Sequence, residues 1–344
     1  MSVSSPELAI VPRFTSRKNQ LRNSTRNACA DDQERHRNRP AIAQVLYANQ
    51  RFYGITTTRN ISPLITGSSH SNGYQRWSPL QAVRQSCSFM VYGSTRRAGK
   101  AGPERFRQAG YEPILPEWPG VPDSVSEARK HPERQAGVGL IEISNHHAQI
   151  IRKLDKKPIL IGHSVGGFIV QHLLGQDLGA AAVAICPGQI KGVFAIAPAQ
   201  AKSAFAFLIN PANTKRAVSL NRKQFRYAFA NGVSQQESDA LFDKWTMPSP
   251  ARPLFQLALG NFIPNSPAKV NTANATRGPL LLMSGKLDHT VPDILTRSTF
   301  KQYRRSKAST EYKRFDDRGH SLICDSGWPE LAEYSLTWLR SKGL

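Results

Sequence analysis
Ser164 is the residue around which chemistry could be built. It lies in Gly162-His163-Ser164-Val165-Gly166, a Gly-x-Ser-x-Gly pattern. A serine hydroxyl is a poor nucleophile unless it is held exposed and given a partner that accepts its proton. The residues before it, Ile159, Leu160 and Ile161, form a continuous aliphatic run of the kind found in strands buried on both faces. The residues after it, 168–174, read as a helix. Gly162 and Gly166 bracket the serine because a tight strand-to-helix turn leaves little room for Cβ atoms there. With that strand before and that helix after, the pattern predicts a nucleophile presented at a helix start. Without them it would be a plain Gly-Ser turn.

A serine nucleophile needs a base, and the base needs an acid to orient it and to stabilise it once charged. Asp288 stands in Gly285-Lys-Leu-Asp-His-Thr-Val-Pro292, just beyond an apolar run at 280–283. His320 stands in Phe315-Asp-Asp-Arg-Gly-His-Ser-Leu322, just beyond what reads as the last strand. Loops that follow parallel strands gather at one edge of a sheet, so both residues are expected at the edge that carries Ser164. Asp316 and Asp317 are alternative acids. His163 is expected as a packed turn residue and His289 as structural. Cys324, His146, His147 and His172 have no partners at readable spacing.

The elements that must position these residues follow a regular rhythm from Phe106 onward. A helix ends at Gly110, and short strands are expected at 111–115, 192–197, 278–285 and 312–315. Helices are expected around 141–154 and 328–338. Strands alternating with helices imply an α/β fold: a mostly parallel central sheet flanked by helices. A helical cap insertion is expected at about 202–265. Its signals are Asn221 with Gln224 and Ser234 with Glu237 at N-cap spacing, and the i,i+4 apolar pairs Phe225/Phe229 and Leu241/Trp245. Pro248, Pro250 and Pro253 are read as ending that helix run. Residues 88–344 are read as one domain. Residues 1–87, rich in Arg, Ser and Asn without sustained period, are read as a disordered or non-native segment.

The 344 residues carry a net charge of +22. Residues 1–105 hold 16 basic and 5 acidic side chains, so half of that excess, +11, falls in the first third. No compact basic cluster with interleaved aromatics accompanies it, so nucleic-acid binding rests on charge alone and is not expected. No run approaches the length of a membrane span. The start lacks a secretory pattern, so the expected location is cytoplasmic; an Arg/Ser-rich leader for an organelle is the alternative. The four cysteines, Cys29, Cys87, Cys186 and Cys324, are too far apart to suggest a zinc site or a disulfide framework.

The Gly162–Gly167 turn, Asp288 in Asp-His-Thr-Val-Pro and His320 in Asp-Arg-Gly-His-Ser together resemble the α/β-hydrolase superfamily, in its bacterial-type serine esterase/lipase-like branch. The resemblance covers about residues 106–344. It implies Ser164 as nucleophile, His320 as general base, Asp288 as orienting acid and the Val165 N–H as an oxyanion donor. It implies a small-molecule ester-type substrate, with no cofactor and no metal. A serine perhydrolase would use the same triad. A dehalogenase is disfavoured because position 164 is not a carboxylate. Members of the family carry His-Gly at the end of the first core strand, where the next loop supplies a second oxyanion donor. Here that place is read as Val91-Tyr-Gly-Ser94, which makes a catalytically impaired or non-catalytic member the alternative. Residues 88–106 suggest a reason. With permitted codons read from each third base, they yield His-Gly-Leu-Trp-Leu-His-Pro-Ser-Ser-Trp-Glu-Ser-Trp-Ala-Gly-Ala-Phe, which runs straight into Arg107-Gln-Ala-Gly-Tyr111. The expectation is that residues before about Phe106 are an out-of-frame translation.

Overall fold
The computed structural model describes residues 44–48, 96–122 and 124–344. Six strands form one sheet: β1 (Gln44–Ala48), β2 (Glu112–Ile114), β3 (Ile159–His163), β4 (Ala181–Ile185), β7 (Leu280–Gly285) and β8 (Thr310–Phe315). Their order across the sheet is β2-β1-β3-β4-β7-β8, and every neighbouring pair is parallel. Chain order runs outward from β1 to β2, then restarts on the other side of β1 with β3. That reversal is where α/β sheets open a crevice beyond the carboxyl ends of their strands, and Ser164 follows β3 directly.

Helices complete the layers: α1 (Arg96–Gln108), α2 (Val125–Lys130), α3 (Leu140–Ile151), α4 (Val165–Gly175), α9 (Asp293–Gln302) and α10 (Trp328–Ser341). Strands β3, β4 and β7 are buried along their whole length. The principal core joins them to Phe168, Ile169 and Leu173 of α4, Leu140 and Ile143 of α3, and Leu336 and Leu339 of α10. Among the described residues no helix is long and apolar enough to cross a membrane.

The sequence reading needs three corrections. The strand expected at 192–197 is absent, and the strand that follows α4 is Ala181–Ile185 instead. Its composition misleads, because three of its five residues are alanine, a helix former rather than a strand former. Alanine suits the place, since Ala181, Ala182 and Ala184 are fully buried between the helical layers. Segment 192–197 does alternate, with Val193 buried and Phe194 and Ile196 exposed, but it pairs with no strand. Second, Gln44–Ala48 is a strand of the sheet, although residues 1–87 showed no sustained strand period. Val45, Leu46 and Tyr47 are three β-prone residues, too short a run to stand out. Third, Pro253 begins a helix rather than ending one, as the first turn of a helix tolerates proline.

Between β4 and β7 the chain builds the cap: α5 (Pro198–Leu208), α6 (Arg222–Ala228), α7 (Gln235–Trp245) and α8 (Arg252–Ala258), with β5 (Ala217–Val218) antiparallel to β6 (Ser249–Pro250). Asn221 and Gln224 form a reciprocal capping box, each side chain accepting from the other's backbone N–H at 2.9 Å. Ser234 accepts from Glu237 N–H. The cap has its own core, in which Phe225 and Phe229 pack with ring centroids 5.2 Å apart beside Leu241 and Trp245.

His147, on the buried face of α3, links this packing to pH. Burial pushes its pKa down to about 4, against the pull of a hydrogen bond between its Nδ1 and the Ile143 carbonyl. The folded state therefore holds the ring neutral while the unfolded chain takes up a proton near pH 6.5. Stability is fully present above that value and declines as pH falls toward 4, by about 3 kcal/mol from this group alone. Burial lowers His146 and His163 as well. His147→Leu is expected to flatten the fall in melting temperature between pH 6.5 and 4. Parallel melting curves against pH for the variant and the parent would rule this out.

Candidate active site
The turn after β3 is as sharp as its glycines suggest. Ser164 sits at φ 56° and ψ −120°, outside the regions that L-residues favour. A Cβ on Gly162 would stand 2.2 Å from the Gly166 carbonyl oxygen, and one on Gly167 would stand 2.8 Å from Pro187 Cα. Neither neighbour is a side chain that could move aside. The turn is pinned to the next strand by Ser164 N–H donating to the Ile185 carbonyl at 2.9 Å, and by Gly188 N–H donating to the Ser164 carbonyl at 2.7 Å. Such strain persists only where the surroundings over-determine it, and it is characteristic of functional positions. Val165 follows as the first residue of α4, where backbone N–H groups have no acceptor within the helix.

Two further loops arrive at this edge. The loop after β7 delivers Asp288 and the loop after β8 delivers His320, both almost completely buried. His320 Nδ1 lies 2.6 Å from Asp288 Oδ2. The other carboxylate oxygen, Oδ1, accepts from Thr290 N–H and Val291 N–H, each at 2.7 Å. The carboxylate is thus held by its own loop and offers one oxygen to the imidazole. Asp316 and Asp317, the alternative acids, pair instead with Arg314 and Arg318 at the surface. Ser164 and His320 both face one cavity of about 280 Å3.

His289 and His172 have ordinary structural tasks. His289 donates its Nδ1–H to the Tyr227 carbonyl, 2.9 Å away, and His172 donates its Nδ1–H to the Lys269 carbonyl. His163 packs its ring 4.4 Å from that of His320 and edge-on to Phe229. Burial, with the neighbouring His320 charge, holds its pKa well below the ordinary histidine value. Cys324 is buried in the cap core. Sequence reasoning missed Cys186, the residue after β4, which has φ 41° and is fully buried. Burial first, then the Asp288 charge, raises its thiol pKa well above the usual range. The missed signal is positional: Cys186 ends an alanine-rich strand that itself went unread.

The cavity's walls come mainly from segments where no chemistry was expected. Phe194 and Ile196 from the unpaired stretch, Phe207 from α5, Leu254 and Leu257 from α8, and Phe262 make it largely apolar. Phe194, Ile196 and Phe262 are 74%, 79% and 80% exposed, so they rim the opening rather than fill the interior. Asn261 ties the two sides of that rim together, accepting from Gly192 N–H at 2.7 Å and donating to the Val193 carbonyl at 2.6 Å.

The cap is joined to the loops that carry the acid and the base. Thr290 Oγ donates to the Ala228 carbonyl, Asn231 Nδ2 donates to the Leu287 carbonyl and Glu237 accepts from Ser326 N–H. Gly232 and Gly319 meet backbone to backbone, so close that a Cβ on Gly232 would lie 2.7 Å from Gly319 N.

The family model described as alpha/beta hydrolase family matches residues 96–333. The chain belongs to that family. Solved structures show the same hydrolase fold at low identity. A pyrethroid hydrolase aligns at TM-score 0.52 and 11% identity, over 88% of this chain and 99% of its own. An Arabidopsis methylesterase aligns at 0.51 and 14%, over 74% and 96%. An extracellular α/β-hydrolase from a Paenibacillus species aligns at 0.51 and 18%, over 70% and 93%. No curated protein gives a sequence match. This chain combines a parallel sheet with a Gly-x-Ser-x-Gly turn and a paired aspartate and histidine at the sheet's carboxyl edge. The stretch read as the oxyanion loop, Val91–Ser94, lies outside the described residues.

Proposed function
We propose that this chain is a serine hydrolase that cleaves a small carboxylic ester or similar acyl substrate through an acyl-enzyme. The observation that carries the reading is the buried His320–Asp288 pair at 2.6 Å, opening on the same apolar cavity as a serine held on a strained turn. Ser164 Oγ attacks the acyl carbonyl as His320 Nε2 takes its proton. Asp288 holds the ring with Nδ1–H toward itself and stabilises the imidazolium that forms. The developing oxyanion meets the Val165 N–H at the positive end of α4. His320 then returns the proton to the leaving alcohol, and a water molecule repeats the cycle on the acyl-enzyme.

Labelling with a fluorophosphonate tests this directly, because the probe reacts with an activated serine. Label located on Ser164 supports the reading, and a folded chain that takes no label rejects it.

The cavity predicts what the substrate carries. Each methylene moved from water onto apolar walls contributes about 0.8 kcal/mol, which is roughly fourfold in kcat/KM. Across a series of nitrophenyl esters of increasing acyl length, kcat/KM is expected to climb by about that factor per methylene until the cavity is filled. A flat series would show that the acyl group does not lie against Phe207, Leu254 and Leu257.

The alternative reading, an impaired member, is favoured by the identity of β1. This strand lies beside β3, and the residues after it are Asn49-Gln50-Arg51, with no His-Gly. Loss of one oxyanion donor costs roughly 10² to 10³ in rate. We read the chain before about Phe106 as out of frame. Coding DNA with no His-Gly codons in either other frame would overturn that.

A further inference from the structure
Beside His320 lie two further donors, His163 and Cys186, that the proposed ester hydrolysis does not use. Strands β3 and β4 are in register with His163 opposite Ile185, so His163 and Cys186 emerge side by side where the two strands end. His320 closes over them from the loop after β8. One ring nitrogen from each histidine and Cys186 Sγ all lie within 4.8 Å of one another, and all three residues are buried.

We propose that His163, Cys186 and His320 form a binding site for a thiophilic divalent cation of the zinc type. Two imidazoles and a thiolate are a donor set that zinc takes, with three protein ligands and one open position. Bond lengths of about 2.0 to 2.3 Å to a tetrahedral ion put its donors roughly 3.5 Å apart, so the cluster must close by about 1 Å. The nearby Asp288 carboxylate adds negative charge, and His320 is the member of the trio that lines the cavity. On coordination the Cys186 S–H bond breaks, a sulfur–metal bond forms and the proton leaves to solvent. Occupation draws the His320 ring onto the cation, away from Ser164. That consequence rests on the function proposed above: the cation is an inhibitor.

Cobalt(II) is the probe, because a thiolate ligand gives it a charge-transfer absorption that needs no catalysis to be seen. In the full chain, the band is expected to persist when Cys29, Cys87 and Cys324 are all changed to Ser, leaving Cys186 as the sole thiol. It is expected to vanish in Cys186→Ser and to weaken in His163→Phe. No band in the triple variant, or a band that survives Cys186→Ser, overturns the site. For the inhibitory consequence, zinc is expected to suppress fluorophosphonate labelling of Ser164, with EDTA restoring it. Full labelling at a zinc concentration that saturates the site overturns the inhibition. A chain that binds cobalt but never takes the label would sink the hydrolase reading and leave the cation site standing.

Discussion

Ser164→Gly is expected to lose turnover by roughly 10⁶-fold and yet to melt at a higher temperature than Ser164→Ala. Both variants remove the nucleophile, so both leave only the residual rate that the cavity and the oxyanion donor can give. They differ in the backbone. At φ 56° and ψ −120° a residue with a Cβ is strained by about 1 to 3 kcal/mol, and alanine keeps that strain while glycine relieves it. Glycine gives back part of the gain, about 1 kcal/mol, because its unfolded chain is freer. The turn is also pinned from both sides through the Ser164 N–H and carbonyl, so neither variant can relax it by moving away. Kinetics on a short-chain ester and melting curves of the two variants check the two halves separately. A Ser164→Gly chain that melts below Ser164→Ala would show that the strain is not where the dihedral angles place it.

Asp288→Asn is expected to reduce kcat by roughly 10⁴-fold without unfolding the chain. The direction follows from the two oxygens. Thr290 N–H and Val291 N–H both donate to Oδ1, so an asparagine must keep its carbonyl oxygen at that position. Its NH2 group then faces His320 Nδ1, where Oδ2 stood. A donor there forces Nδ1 to act as acceptor and places the ring proton on Nε2, the nitrogen that must receive the proton of Ser164. The imidazole stays in position but in the wrong tautomer. Circular dichroism should be unchanged while the esterase rate falls. A rate within tenfold of the parent would mean that another group orients His320, which the surface pairs of Asp316 and Asp317 argue against.

What could be read from the residue string depended on how local the signal was. The Ser164 turn was legible because glycine, serine and the flanking apolar run lie within about a dozen residues and each has a steric reason. Asp288 and His320 were legible as loop residues after strands, because parallel sheets send such loops to one edge. The capping box at Asn221 was legible for the same local reason. Strand β4 was not, because an Ala-Ala-Val-Ala-Ile stretch carries helix propensity, and only its burial between helical layers makes it a strand. Segment 192–197 deceived in the opposite way: its alternation is real, but the exposed members face the cavity mouth instead of a neighbouring strand. Cys186 could not have been linked to His163 and His320 without the register of β3 and β4, which no single stretch encodes.

The stitching of the cap to the loops after β7 and β8 bears on how such a protein can be re-engineered. Thr290, which follows Asp288, bonds to the end of α6, and Gly319, which precedes His320, rests on Gly232 of the cap. Recombination that swaps this cap for another, in order to change what the pocket accepts, would cut the supports of acid and base together. Selectivity and alignment are inherited here as one cassette. Retargeting by single changes along the Phe194–Ile196 rim leaves that cassette whole, since none of its stitches passes through those side chains.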